Sequence, residues 1–230
     1  MKKILILLLT LTLLLCALPS CSGGLGSVIY DTSLTGAGAD VDMSRVAQEI
    51  NSRKIKHFKK TSEVSDYIVF DIENYGKIAL VVREDIAPIT AKNFKSLVAK
   101  GHYNGLTFHR VISYFMIQGG GYDESGNLHS ASTIIGEFAA NNVTNNLLHI
   151  KGVLSLARAK LNNSGSAQFF IMTGNNSDLD GKYAAFGYVL AGMDVVEKIA
   201  NCEVDYPYSD APKPVDPVVI KEAYFAKYVG

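Results

Sequence analysis

Phe108 to Tyr122 reads FHRVISYFMIQGGGY. Its apolar part, VISYFMI over 111–117, has the look of buried strand, as does FFIM over 169–172 further on. That second run belongs to GSAQFFIMT, Gly165 to Thr173, and a third stretch, LDGKYAAF, follows at Leu179 to Phe186. The glycines 119–121 are no phosphate loop, because neither GK[ST] nor GxGxxG accompanies them. His57, His102, His109, His129 and His149 show no HExxH or other compact ligand spacing, so no metal is expected.

Around these stretches the chain alternates strand and loop signals. Ile68, Phe70 and Ile72 share one face of a strand, a turn follows at Glu73 to Gly76, and Ile78, Leu80 and Val82 alternate after it, which predicts a hairpin. Pro88 opens a helix with Phe94, Leu97 and Val98 on one stripe, and Gly101 stands where a left-handed cap is wanted. A second short helix is expected over Met193 to Ala200. The pattern suits a mainly β, closed antiparallel barrel with two helices.

The chain has 230 residues, 48% hydrophobic and 19% charged, enough for one globular domain with extras. Its formal charge is zero, and loss of Lys2 and Lys3 with a leader would leave 20 basic against 22 acidic residues. No field for nucleic acid follows from that balance. Lys2 and Lys3 precede an apolar run from Ile4 to Leu18, the pattern of an export signal over residues 1–20 and shorter than the roughly 20 residues that span a bilayer. Leu18, Pro19, Ser20 and Cys21 resemble a bacterial lipobox, with Cys21 the lipidated residue of the mature chain. Ordinary secretory cleavage is the alternative. Residues 21–42 read as a flexible tether. Residues 43–65 read as a short basic helical extension, with Val46, Ile50, Ile55 and Phe58 apolar, that either touches anionic headgroups or packs on the domain. Cys202 is left as a single structural thiol, so no intrachain disulfide is expected.

The three quoted segments resemble, in order and spacing, the active-site strands and loops of cyclophilins, the peptidyl-prolyl cis/trans isomerases. The resemblance runs from about Asp66 to about Tyr228, within a domain taken as residues 66–230. It implies an eight-stranded closed barrel with two capping helices, an activity that needs no cofactor, and a partner that is a proline-containing, unfolded or partly folded polypeptide. It implies that Arg110 is the catalytic residue, donating to the prolyl nitrogen. Phe115, Met116, Phe170 and Leu179 would wall the proline slot, although each without the family reads as ordinary core. Gln118 would bond Arg110 and the substrate backbone, with Gln168 lining the groove. Ile112, Ala157 and Arg158 would complete that groove, the last two through backbone. Tyr183 stands where relatives carry a pocket histidine, and Asp178 where many carry tryptophan; the chain has none, which argues against cyclosporin binding. His109 reads as structural, because bond rotation needs no proton transfer.

The expectation is a lipid-anchored, extracytoplasmic bacterial isomerase, monomeric, acting on exported chains. The alternative is a non-catalytic peptide-binding chaperone or docking module of the same fold.

Overall fold

The computed structural model describes residues 40–207 and 209–230. The signal segment, the lipobox with Cys21 and most of the tether therefore lie outside the described residues. The elements are α1 (Met43–Glu49), β1 (Phe58–Lys60), β2 (Tyr67–Ile72), β3 (Gly76–Val82), α2 (Pro88–Ala99), β4 (Leu106–Ile112), β5 (Met116–Asp123), β6 (Val153–Leu156), β7 (Phe169–Met172), β8 (Ala185–Ala191), α3 (Met193–Ala200) and β9 (Ile220–Tyr228). All strands join one antiparallel sheet in the order β1-β9-β2-β3-β8-β6-β7-β5-β4. Among the described residues this corrects the expected eight strands to nine, while the three α-helices are the two expected on the domain and the one expected in the extension. The ninth strand, β1, and the third helix, α1, both come from the extension. At the other end, β4 meets the segment entering β9 through one antiparallel bridge, Thr107 with Val219. The Gly105 N–H donates to the Ile220 carbonyl at 2.8 Å and the Phe108 N–H to the Val218 carbonyl at 2.9 Å.

The β2-β3 hairpin turns where Asn74 and Gly76 both take positive φ, at 61° and 121°. Ile68, Phe70, Ile72, Ile78, Leu80 and Val82 point into the inner core, as the alternation predicts. The opposite faces are buried too, because Val69, Ala79 and Val81 are covered by Val46, Ile50, Ile55 and Phe58 of the extension. Helix α1 is capped by Asp42, whose carboxylate accepts from the Ser44 and Arg45 N–H groups. It stops at Ile50, short of Ile55 and Phe58, because the chain then hands its N–H groups to β8: Asn51 to Val189 and Arg53 to Leu190. The extension therefore packs on the domain. Among the described residues no helix is long and apolar enough to cross a membrane.

Helix α2 begins with Pro88, whose missing N–H costs nothing at the first helical position. The next donors are taken from far away in sequence: Glu137 accepts from the Ile89 and Thr90 N–H groups at 3.0 and 2.7 Å, and from Thr90 Oγ1. The helix ends in a left-handed Gly101, φ 67°, with the His102 N–H bonded to Leu97 and the Gly101 N–H to Val98. That pair of bonds is a Schellman cap. Beneath α2, Phe70, Phe94, Tyr103, Phe108, Phe169 and Phe186 form a continuous aromatic centre with ring centroids 5.0 to 6.1 Å apart. Gly120 explains the triple glycine: its φ is 81°, and a Cβ there would lie 2.9 Å from the rings of Phe169 and Tyr103.

Candidate active site

The site is built on the outer face of the sheet by one row of register partners. Arg110 pairs with Gln118, Gln118 with Phe170, and Phe170 with Ser155, across β4, β5, β7 and β6. Residues directly opposite in an antiparallel sheet point to the same face, so the row is a line of neighbouring side chains. A bulge makes it possible. On β4 two steps, Phe108 to Arg110, face the single step Gly119 to Gln118 on β5. In a regular strand residues 108 and 110 would share a face. The extra residue turns Phe108 into the aromatic core and Arg110 out to the opposite side.

There Arg110, Phe115, Met116, Gln118, Ala157, Arg158, Phe170, Leu179 and Tyr183 enclose a slot of about 150 Å³. Nine of the eleven residues expected at the site from the sequence thus line one cavity. Gln168 stands one step back, with its Oε1 accepting from Gln118 Nε2 at 2.9 Å. Ile112 pairs with Met116 and packs into the outer apolar cluster without lining the slot. The expected lipid site, Cys21, is outside the described residues.

The Arg110 guanidinium is held on two sides. Its Nε donates to the Asp210 carbonyl at 2.8 Å and its Nη1 to Gln118 Oε1 at 3.1 Å, with Met116 Sδ at 3.8 Å. Nη2 makes no hydrogen bond among the described residues, so its N–H groups are uncommitted. Burial lowers the Arg110 pKa from its ordinary value, yet a guanidinium stays charged near neutrality. The floor is Phe170, with the Tyr183 ring edge-on at 5.8 Å.

Behind the floor lies a group that the sequence did not mark as part of the site. His149 stacks on Phe170 with centroids 6.0 Å apart. Its Nδ1 lies 2.9 Å from Asp180 Oδ1 and its Nε2 2.9 Å from Ser155 Oγ. A carboxylate only accepts, so Nδ1 carries the proton and Nε2 accepts from the serine. No spacing motif links residues 149, 155 and 180; only the folded chain gathers them. Asp210, which steadies Arg110 from a remote loop, was equally invisible.

Burial lowers the pKa values of His102, His109 and His149 below the ordinary value of 6.5. The unfolded chain therefore binds protons that the native state refuses. Stability is expected to be full above about pH 6.5 and to be lost progressively as the pH falls below it. Melting temperatures between about pH 7.5 and 5 test this, and a midpoint that stays flat or rises on acidification would contradict it.

Comparison with known proteins agrees with the geometry. Residues 67–225 match the family described as cyclophilin type peptidyl-prolyl cis-trans isomerase/CLD. A peptidyl-prolyl cis-trans isomerase of Acinetobacter baylyi is 43% identical over 133 residues, covering 56% of this chain and 69% of its own. Peptidyl-prolyl cis-trans isomerase A of Dickeya dadantii is 36% identical over 159 residues, covering 66% of this chain and 80% of its own. The crystal structure of a Cryptosporidium parvum cyclophilin type peptidyl-prolyl cis-trans isomerase, determined in the presence of the dipeptide Ala-Pro, superposes with a TM-score of 0.58 at 27% identity, covering 70% of this chain and 99% of that one. With the family matched from the first strand of the hairpin to the last strand of the sheet, this chain belongs to the cyclophilin-type peptidyl-prolyl cis-trans isomerases.

Proposed function

We propose that Arg110 drives Xaa-Pro rotation by donating to the prolyl nitrogen while the apolar slot holds the proline ring. Amide resonance sets a barrier of about 18–20 kcal/mol, whereas cis and trans forms of an Xaa-Pro bond differ by only about 0.5–1 kcal/mol. Twisting the bond returns a lone pair to the nitrogen, and a donor already in place stabilises that twisted state more than either planar one. The observation that carries the reading is the Arg110 guanidinium, fixed by Gln118 and the Asp210 carbonyl at the slot, with no hydrogen-bond partner for Nη2 among the described residues. Phe115, Met116, Phe170, Leu179 and Tyr183 supply walls that exclude water. Gln118, steadied by Gln168, orients both arginine and peptide. The bridge between Thr107 and Val219 supports reading the sheet as a closed barrel.

The clients are exported, incompletely folded chains, and the enzyme is a lipid-anchored monomer outside the cytoplasm of a bacterium. Lys2, Lys3, the run from Ile4 to Leu18 and Cys21 within LPSC support this placement. Since the chain packs on the domain from Val41 onward, the tether is about 20 residues and would reach about 25 Å if flexible. The test is two-dimensional NMR exchange on an Ala-Pro peptide with the purified chain. Catalytic amounts should raise the cis/trans exchange rate; a peptide that binds with its exchange unaltered would replace the enzyme by a docking module.

A further inference from the structure

We propose that Arg158 makes this slot selective for clients that carry a carboxylate beside the proline. The inference rests on the isomerase reading above and adds a substrate class to it. Arg158 lies just past β6 and lines the slot. Its Nε and Nη2 donate to the Lys182 carbonyl at 3.0 and 2.9 Å, and its Nη1 to the carbonyls of Ala159 and Lys160 at 3.0 and 3.3 Å. Its guanidinium carbon sits 4.6 Å from the Tyr183 ring centroid and 5.1 Å from that of Phe138. The side chain thus ties together two walls of the slot, the segment that follows β6 and the loop bearing Tyr183.

Every one of those partners is neutral. Carbonyl oxygens and ring faces hold a cation in place without cancelling its charge. Among the described residues no carboxylate comes within ion-pair distance of Arg158, Arg110, Lys160 or Lys182. The clamp itself brings Lys160 and Lys182 alongside, since it holds their carbonyls, and both side chains are exposed. Against the four cations of this region stand three acids, none of them in an ion pair with the cations: Asp180 faces the neutral His149 behind the floor, Asp210 meets Arg110 through its backbone carbonyl, and Asp178 is exposed. One Nη2 hydrogen of Arg158 has no protein acceptor among the described residues. A peptide carboxylate next to a proline in the slot would find that donor and a net positive rim, whereas a lysine there would be repelled.

The experiment compares kcat/KM on six short peptides, Glu-Pro, Ala-Pro and Lys-Pro together with Pro-Glu, Pro-Ala and Pro-Lys. At low salt, glutamate should be preferred over lysine by about tenfold on at least one side of the proline, and the preference should shrink in about 0.5 M salt. Arg158→Gln should sharply reduce the ratio, leaving only what Arg110, Lys160 and Lys182 contribute. Arg158→Lys, which keeps the charge but not the fan of carbonyl bonds, should keep the ratio while lowering kcat on all six. Circular dichroism checks that both variants fold, and the ratio within one variant is independent of how much of it is active. Equal rates on glutamate and lysine peptides, or a ratio unchanged in Arg158→Gln, would overturn the selectivity while leaving the isomerase intact. A wild type inert on all six would overturn both.

Discussion

Arg110→Ala should lower kcat/KM on an Ala-Pro peptide by about two orders of magnitude, close to 3 kcal/mol of transition-state stabilisation. The loss should appear mostly in kcat. The arginine is the charged donor proposed to meet the prolyl nitrogen, and that nitrogen gains its lone pair only in the twisted state, so ground-state binding depends on it less. Arg110→Lys should recover little. A single ammonium cannot reach the Asp210 carbonyl and Gln118 Oε1 together and still point a donor into the slot, as the guanidinium does with Nε, Nη1 and Nη2. Folding should be nearly untouched, because Arg110 is partly exposed and pairs with no carboxylate among the described residues. NMR exchange with wild type and variant side by side makes the measurement. A variant that only raises KM would reduce Arg110 to a binding residue and sink the proposed mechanism.

Phe169→Ala should cost about 3–5 kcal/mol of stability, a large share of the roughly 5–15 kcal/mol of an ordinary domain. Phe169 is fully buried, with its ring 5.3 Å from Phe70, 5.5 Å from Tyr103, 5.6 Å from Phe94 and 5.8 Å from Phe108. These neighbours come from β2, α2, β4 and the loop between α2 and β4, so the cavity left behind has no flexible wall to fill it. Urea denaturation followed by far-UV circular dichroism measures the effect in a chain without tryptophan. Phe170→Ala is the internal comparison. That ring lies on the opposite face, over the slot, and its loss should reduce stability less and activity more. Equal stability losses in the two variants would contradict the assignment of their faces.

These two neighbours show what could be read in the chain and what could not. FFIM is visibly a strand, and strand alternation requires Phe169 and Phe170 to face opposite sides. Which one faces the slot entered through the family resemblance. The hairpin at 67–82, the helix from Pro88 and the helix Met193–Ala200 were legible because each repeats its apolar residues at its own period and is bounded by Gly, Pro or Asn. Helix α1 was legible only in part: the apolar spacing continues to Phe58, but bonds to β8 end the helix at Ile50. Likewise β1 has just three residues and exists because β9 pairs with it.

Most of the local elements, the family and the residue types of the site are legible along the chain, since periodicity, capping and motif spacing are properties of sequence neighbours. The parity of β4 is not legible there and comes from contacts between strands. Its bulge depends on how β5 lies alongside, and it alone turns Arg110 away from Phe108 and toward the slot. The tertiary structure also decided what holds the site's groups. The Asp210 carbonyl on Arg110, the His149–Asp180–Ser155 chain behind Phe170, and the Lys182 carbonyl under Arg158 each join residues at least 24 apart in at least one link. Hydrogen bonds over such separations follow from the packing of whole strands and loops, and no local pattern of side chains encodes them.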